Sequence, residues 1–378
     1  MSYKILIRNG IIFEPDFKFK IGNLAVENGF ITQNLNDPDE IIDAENLYII
    51  PGLCDIHFHG CAGHDFCEGN EGAFNAILNY EKSNGILTIC PATMTLPENE
   101  LIKVVSSAKK FHEKNSDLAG INLEGPFISR NKKGAQNEKF ILNPDIKIFK
   151  NIFNASGNLI KFVDIAPELN GAFEFINYAK EFVTVSLAHT EANYKISNEA
   201  FKAGAKHVTH LYNAMPPINH REPGLIIAAS ENENKNITVE LICDGVHVHP
   251  AMIRNTFKMF NDDQIIFISD SLEAAGMPDG KYKLGGQEII KSGRVATLSD
   301  KKTIAGSVSN LFECFKYSVK VAKIPLETAV KCSTFNPVKS VGLEKSRGTL
   351  EAGKLAKILF LNKNLELMKI IDEKIYKF

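Results

Sequence analysis

Ten histidines occur in the 378 residues, and two of them, His57 and His59, stand two apart in LCDIHFHGCAGHDF. In a strand, residues two apart share a face, so both imidazoles would leave the end of this apolar run in one direction. Other short β-rich runs end in residues of the same chemical kind. Glu124 closes one within LEGPF, His189 one within LAHTE, His210 one within THLYNAM and Asp270 one within FISDS. Asp244 and His247 follow another, within CDGVHVH. Taken singly, each has an ordinary reading: a surface histidine pair, a satisfied core histidine, a solvated turn glutamate. Their meaning changes if the strand ends converge on one rim. Imidazole nitrogens together with carboxylate oxygens suit zinc, iron, manganese or nickel. Without thiolates, an open catalytic site with room for water fits better than a closed structural zinc.

The elements that would position these groups are legible as a rhythm. Eight β-rich runs, at 53–59, 86–92, 120–124, 161–166, 184–189, 207–211, 238–243 and 265–270, alternate with longer amphipathic stretches such as NELIKVVSSAKKFHEKN. Most are apolar on both faces, as strands of a parallel sheet covered on both sides should be. Eight βα units predict an α/β chain folded as a (β/α)8 TIM-type barrel, with its chemistry at the C-terminal rim of the strands. A doubly wound open sheet would want a glycine-rich phosphate loop after its first strand, and HFHGCAGHDF is not a GxGxxG. The first fifty residues and the C-terminal GTLEAGKLAKILFLNKNLELMKIIDEKIYKF read as further strands, with Asn9-Gly10 and Asn28-Gly29 as hairpin turns. Neither end alone has enough strands for a stable core. The expected organisation is therefore a small β-sandwich domain built from residues 1–51 and 342–378, and a barrel at 52–341.

Bulk properties narrow the partners. Composition is 44% hydrophobic and 23% charged with a net charge of -2, which gives no reason to expect nucleic acid or an anionic membrane. Seven cysteines, an odd number with no CxxC pair, suit a reducing compartment. No apolar run reads as a signal peptide or a membrane span, so the expected location is the cytoplasm.

Together, PGLCDIHFHG, LEGPF, AHTEA, THLYNAMPP, REPGL, CDGVHV and ISDSLEAAG resemble the amidohydrolase superfamily. Within it, they resemble the N-acetylglucosamine-6-phosphate deacetylases. The resemblance runs from IIPGLCDIHFHG to GTLEAGKLAKI, and LEGPF followed by HLYNAMPP and REPG is far more specific than HxH. It implies a divalent cation, zinc, iron, manganese or similar, with one or two ions per subunit. Glu124, His189 and His210 match the common metal ligands. His57 and His59 match a second ligand pair, with Glu124 bridging. Asp270 matches the catalytic acid/base, which would serve a metal-activated water in removing an acetyl group. The implied partner is a small-molecule amino sugar phosphate. Asn213, Ala214 and Arg221 match phosphate-binding positions, the arginine serving the neighbouring subunit of a homodimer. Backbone N–H groups at Asn213 and Ala214 are expected to meet phosphate oxygens. Asp244, Gly245 and His247 match a sugar-contacting segment, and Ile304, Ala305 and Gly306 a stretch beside the acyl group. Ala135 and Gln136 lie where the family contacts the substrate carbonyl.

Two departures stand out. Gln136, in KKGAQNE, occupies the place of a family histidine; its amide can donate to an oxyanion but cannot become a cation. Lys357, in GKLAKILFL, stands where the superfamily often has aspartate, and reads as structural. Deacetylation of N-acetylgalactosamine 6-phosphate, or of another N-acyl amino sugar phosphate, is the alternative with the same chemistry. A hydantoinase-like or dihydroorotase-like enzyme would want a modified lysine on the fourth strand, whereas LIKFVDIAPE places Glu168 near its end and Lys161 at its start. A non-catalytic scaffold is favoured by Gln136 alone.

Overall fold

The computed structural model describes residues 3–376 apart from Asn34, 233–235, Lys301 and Glu373. The outermost residues of the expected terminal unit (1, 2, 377 and 378) lie outside the described residues.

Six of the eight expected runs form one parallel sheet in chain order: Ile121–Leu123, Ile160–Ile165, Thr184–Leu187, His207–Val208, Thr238–Ile242 and Ile265–Ile268. The first two, Leu53–Asp55 and Ile86–Ile89, pair parallel with each other. Hydrogen bonds join the two sheets at both edges. On one side Ala119 N–H donates to Ile89 C=O at 2.7 Å and Thr93 N–H to Asn122 C=O at 2.9 Å. On the other, Asp270 N–H donates to His57 C=O at 2.9 Å, and the Ser269 hydroxyl to Asp55 Oδ2 at 2.5 Å. Runs such as ILTI and IIFI are buried at every position, which is why they lack the polar alternation of half-exposed strands.

Helices cover the outside. Glu98–His112 is representative: Leu101, Val104, Val105, Ala108 and Phe111 recur at helical spacing and are buried. Glu98 and Glu100 in its first turn, and Lys109, Lys110 and His112 in its last, complement the helix dipole. Inside, the floor is apolar, with Cys54, Ile56, Cys90, Phe162, Ile242, Ile266 and Ile268 packed against Val338 and Val341. Fully buried Asn122, Asp164, Ser186 and Glu240 on the parallel strands, and Thr209 just past one, add polar groups.

The two chain ends meet by direct strand pairing. Lys357–Leu361 runs antiparallel to Tyr48–Pro51, and together the terminal strands make one eight-stranded sheet around Ile7, Ile12, Val26, Ile49, Ile358 and Phe360. Lys357 anchors it. Its buried Nζ lies 2.6 Å from Asp117 Oδ1 and 2.5 Å from Asp372 Oδ1, and Lys82 reaches both carboxylates from the first helix, Glu71–Ser83.

Asn28-Gly29 is the expected hairpin turn, with φ of 54° and 81° between Phe19–Glu27 and Phe30–Thr32. Asn9-Gly10 is not a hairpin turn. It lies inside the strand Lys4–Phe13, where the pairing register shifts between Ile7 and Gly10, and Asn9 (φ 61°) forms a bulge. A left-handed asparagine before glycine serves either purpose, and the partner strand decides. A three-stranded antiparallel sheet, Gly280–Leu284, Gln287–Ser292 and Val295–Leu298, follows the eighth strand and had no counterpart in the sequence reading.

Candidate metal centre and substrate cavity

The hydrogen-bonded strands stop one or two residues short of the polar positions. Leu123, Leu187, Val208 and Ile268 are last residues of strands, and Glu124, His189, His210 and Asp270 lie just beyond. His189 (φ 43°), His210 (φ 30°) and Asp270 (φ 50°) all take left-handed backbone. For a non-glycine residue this costs of order 1–3 kcal/mol, and it persists where surrounding contacts over-determine it, often at functional sites. Gly125 follows Glu124 for a steric reason: a Cβ there would sit 2.1 Å from Thr95 Oγ1.

Glu124 is the hub. Its Oε1 lies 3.0 Å from His189 Nε2, 3.1 Å from His210 Nε2 and 3.5 Å from His57 Nε2. Its Oε2 lies 3.2 Å from His59 Nε2. Asp270 Oδ1 is 3.4 Å from His59 Nε2 and 3.9 Å from His57 Nε2. The groups fall into two sets, Glu124 with His189 and His210, and His57 with His59 and Asp270; within each set the ligand atoms lie within 4.8 Å of one another. All six residues are buried.

Electrostatics and hydrogen bonding fit a cation. Burial disfavours charge on Glu124, yet the positive charge of His59 and the close imidazoles of His189, His210 and His57 outweigh it and hold the carboxyl well below its usual range. Burial likewise opposes charge on Asp270, and the bond from His59, with the other imidazoles, lowers it overall. His59, penalised by burial, is pushed up to about 10 by Glu124 and Asp270. Both carboxylates are thus ionised at neutral pH and draw positive charge inward. Among the described residues, His57 Nε2 is buried with no hydrogen-bond partner, while its Nδ1–H donates to Glu240 Oε2 at 2.9 Å. His189 Nδ1–H donates to Lys132 C=O at 2.7 Å. With Nδ1 engaged in this way, His57 and His189 turn Nε2 to the centre, where each would offer its lone pair to a bound ion. The donor set, nitrogens and carboxylate oxygens, suits a divalent ion such as zinc, iron or manganese.

Above the centre opens a cavity of about 340 Å³. Ala135, Gln136, Asn213, Ala214, His247, Ile304 and Gly306 line it, as do His59, Glu124, His189, His210 and Asp270. His57 lies beneath it, completely buried. Asp244 stands behind the wall and accepts His247 Nδ1–H at 2.8 Å; Gly245 beside it lacks room for a Cβ, which would meet Tyr317. Ala305 is buried in the apolar cluster with Met94 and Leu284.

Three of the expected substrate-binding residues sit as follows. Gln136 Nε2 donates to Glu124 Oε2 at 2.5 Å, and its Oε1 accepts Thr95 N–H at 2.7 Å. Both ends of the amide are engaged, so Gln136 braces Glu124, with one of its two amide hydrogens committed there. The Asn213 N–H donates to His210 C=O at 2.9 Å, which takes it from the pair of backbone groups expected to meet phosphate. Arg221 is exposed and does not line the cavity of its own chain. Its neighbour Glu222 accepts the Tyr194 main-chain N–H.

Sequence reasoning missed Met94 and Leu284, apolar wall residues, and Lys132, whose carbonyl fixes His189. It also missed Glu240. A lone acid inside the apolar run TVELIC was the available signal.

Comparison with known proteins agrees with this geometry. The amidohydrolase family profile matches residues 48–376. An N-acetylglucosamine-6-phosphate deacetylase of Bacillus subtilis (strain 168) is 32% identical over 384 residues, covering 98% of this chain and 96% of that protein. The enzyme of the same name from Homo sapiens is 28% identical over 373 residues, covering 96% and 91%. Among solved structures, a variant of N-acetyl-D-glucosamine-6-phosphate deacetylase from Mycobacterium smegmatis, in complex with N-acetyl-D-glucosamine-6-phosphate, superposes with a TM-score of 0.91 at 28% identity, covering 98% of both chains.

Proposed function

The chain belongs to the amidohydrolase family and, within it, to the N-acetylglucosamine-6-phosphate deacetylases, and we infer from this premise that it hydrolyses the acetamide of N-acetylglucosamine 6-phosphate to glucosamine 6-phosphate and acetate. The observation that carries the reading is the meeting, around Glu124, of two buried ligand sets at the floor of one cavity. Glu124, His189 and His210 would hold one divalent ion, and His57 and His59, with Glu124 shared, a second. When bound, such an ion supplies Lewis acidity and lowers the pKa of water to about 7.

The remaining work belongs to the protein's own groups. Asp270, ionised and bonded to His59, accepts the proton of the attacking water and returns it to the departing nitrogen. Gln136 holds Glu124 in register. His247, fixed through Nδ1 by Asp244, turns its other nitrogen to a sugar hydroxyl. Ile304 and Gly306, with Met94 and Leu284, close the wall around the acyl group. At the phosphate end, Ala214 lines the cavity of its own chain, and Arg221 crosses to the cavity of a partner in a homodimer. The exposure of Arg221 and its position outside its own cavity support that arrangement.

We read the two joined parallel sheets as one (β/α)8 barrel at 52–341, and the terminal sheet as the small β-sandwich domain of 1–51 and 342–378. Seven free thiols, six of them buried, support a reducing compartment, the cytoplasm. The test is acetate release from N-acetylglucosamine 6-phosphate by protein of known metal content. Release should vanish after stripping with a chelator and return on adding zinc, iron or manganese. Full activity in stripped protein overturns the reading.

A further inference from the structure

Glu240 has no counterpart among the residues assigned so far, although it is completely buried on the seventh strand, Thr238–Ile242. Its Oε2 accepts His57 Nδ1–H at 2.9 Å and the His210 main-chain N–H at 3.0 Å. Its Oε1 lies 3.1 Å from His207 Nε2. We propose that Glu240 is a positioning residue that couples the two halves of the metal centre: one carboxylate orients His57 from one ligand set and the backbone of His210 from the other.

The chemistry of its surroundings favours this over a packing role. Ile242, two residues along the same strand, belongs to the apolar floor with Ile266 and Ile268, and an aliphatic residue at 240 would extend it. A buried carboxylate is costly and is retained where its bonds serve a purpose. Here the bonds are directional. His57 lies beneath the cavity, out of reach of substrate, and its unpartnered Nε2 is 3.5 Å from Glu124 and 3.9 Å from Asp270. With Nδ1–H committed to Glu240, the ring is held against flipping, and Nε2 is the nitrogen that would give its lone pair to an ion at the centre. The second bond fixes the left-handed residue, His210 at φ 30°, whose main chain sets the position of its imidazole. Asn122 packs against the same His57 nitrogen at 3.3 Å but is neutral.

The inference rests on the metal reading above, and the experiment separates the two. Stripped wild type and Glu240→Gln are titrated with zinc against a chromogenic chelator. Cobalt-loaded samples give the ligand-field spectrum, and steady-state kinetics are run at saturating zinc. The glutamine keeps the shape and an acceptor but removes the charge. Expected are two ions in wild type, a 10–100-fold loss of affinity for one of them in the variant, an altered cobalt spectrum, and KM within threefold of wild type. In a His57→Asn background, Glu240→Gln should cost little further affinity for that ion, because the residue it orients is gone. Unchanged affinities and spectrum in Glu240→Gln, or losses that add fully to those of His57→Asn, overturn the inference and leave the metal reading standing. Wild type that takes up no ion overturns both. If Glu240→Gln does not fold, Glu240→Asp, which keeps the charge but draws it back from His57, is judged by the same measurements.

Discussion

Replacing Asp270 by asparagine is the sharpest test of the proton chemistry. The substitution is close to isosteric, and asparagine tolerates the left-handed backbone (φ 50°) better than most residues. The main chain is also held from both sides: Asp270 N–H donates to His57 C=O at 2.9 Å, and Ser307 N–H to Asp270 C=O at 2.7 Å. The site should therefore keep its shape while losing one negative charge and one proton acceptor. A single general acid–base step is worth about 10²–10⁴ in rate. Asp270 is assigned two such steps in sequence, sharing one proton, so their losses do not multiply. The expected fall in kcat is about 10³–10⁴-fold, or about 4–5.5 kcal/mol of transition-state stabilisation. KM should move less than about threefold, because the groups assigned to phosphate are elsewhere. The ion held by Glu124, His189 and His210 should remain. Acetate release measured beside elemental analysis of the same sample decides the matter. A kcat within tenfold of wild type at unchanged metal content refutes the role. A large loss that added metal fully repairs refutes it too, since Asp270 would then be acting only as a ligand beside His57 and His59.

Other expectations follow from single residues. Arg221→Ala should raise KM for the phosphorylated sugar about 10–100-fold, the range for losing charge-assisted bonds, and barely affect the unphosphorylated one; mixing it with Asp270→Asn should restore activity if the arginine serves the partner's cavity. Gln136→Ala leaves the Thr95 N–H and one oxygen of Glu124 without their partner, so a stability loss of about 1–3 kcal/mol in chemical denaturation is expected, together with weaker metal binding. Glu81 is buried with neither carboxyl oxygen hydrogen-bonded among the described residues, and burial, with Asp55 nearby, pushes it up to about 8. Its folded pKa lies above the usual 4.5 of a glutamate, so its contribution is intact below pH 4.5 and is lost as pH rises towards 8. The loss is up to about 5 kcal/mol. Wild type should lose stability over that range relative to Glu81→Gln; parallel denaturation midpoints for the two would contradict it.

The parallel strands and the residues at their ends were legible because both rest on local rules. A strand buried on two faces is mostly apolar, so a histidine or carboxylate at its end stands out against the run. Glu124, His189, His210, His57, His59 and Asp270 were all visible in this way, and in the tertiary structure they converge. Asn28-Gly29 was likewise a correct turn, because adjacent strands leave a two-residue loop few conformations.

What the sequence left open depends on partners distant along the chain. Asn9-Gly10 has the same local signal as Asn28-Gly29, yet the strand it sits in continues past it and turns it into a bulge. Gln136 was legible as an amide donor, but not that Glu124 and Thr95, twelve and forty-one residues away, hold the two ends of its amide. Glu240 and His57 are separated by 183 positions, and nothing in either neighbourhood announces the bond between them. Residue type fixes which atoms can donate, accept or ligate. Which of those capacities are spent on other side chains, and which remain free for an ion or a substrate, is set only when the chain closes on itself and brings distant groups within 3 Å.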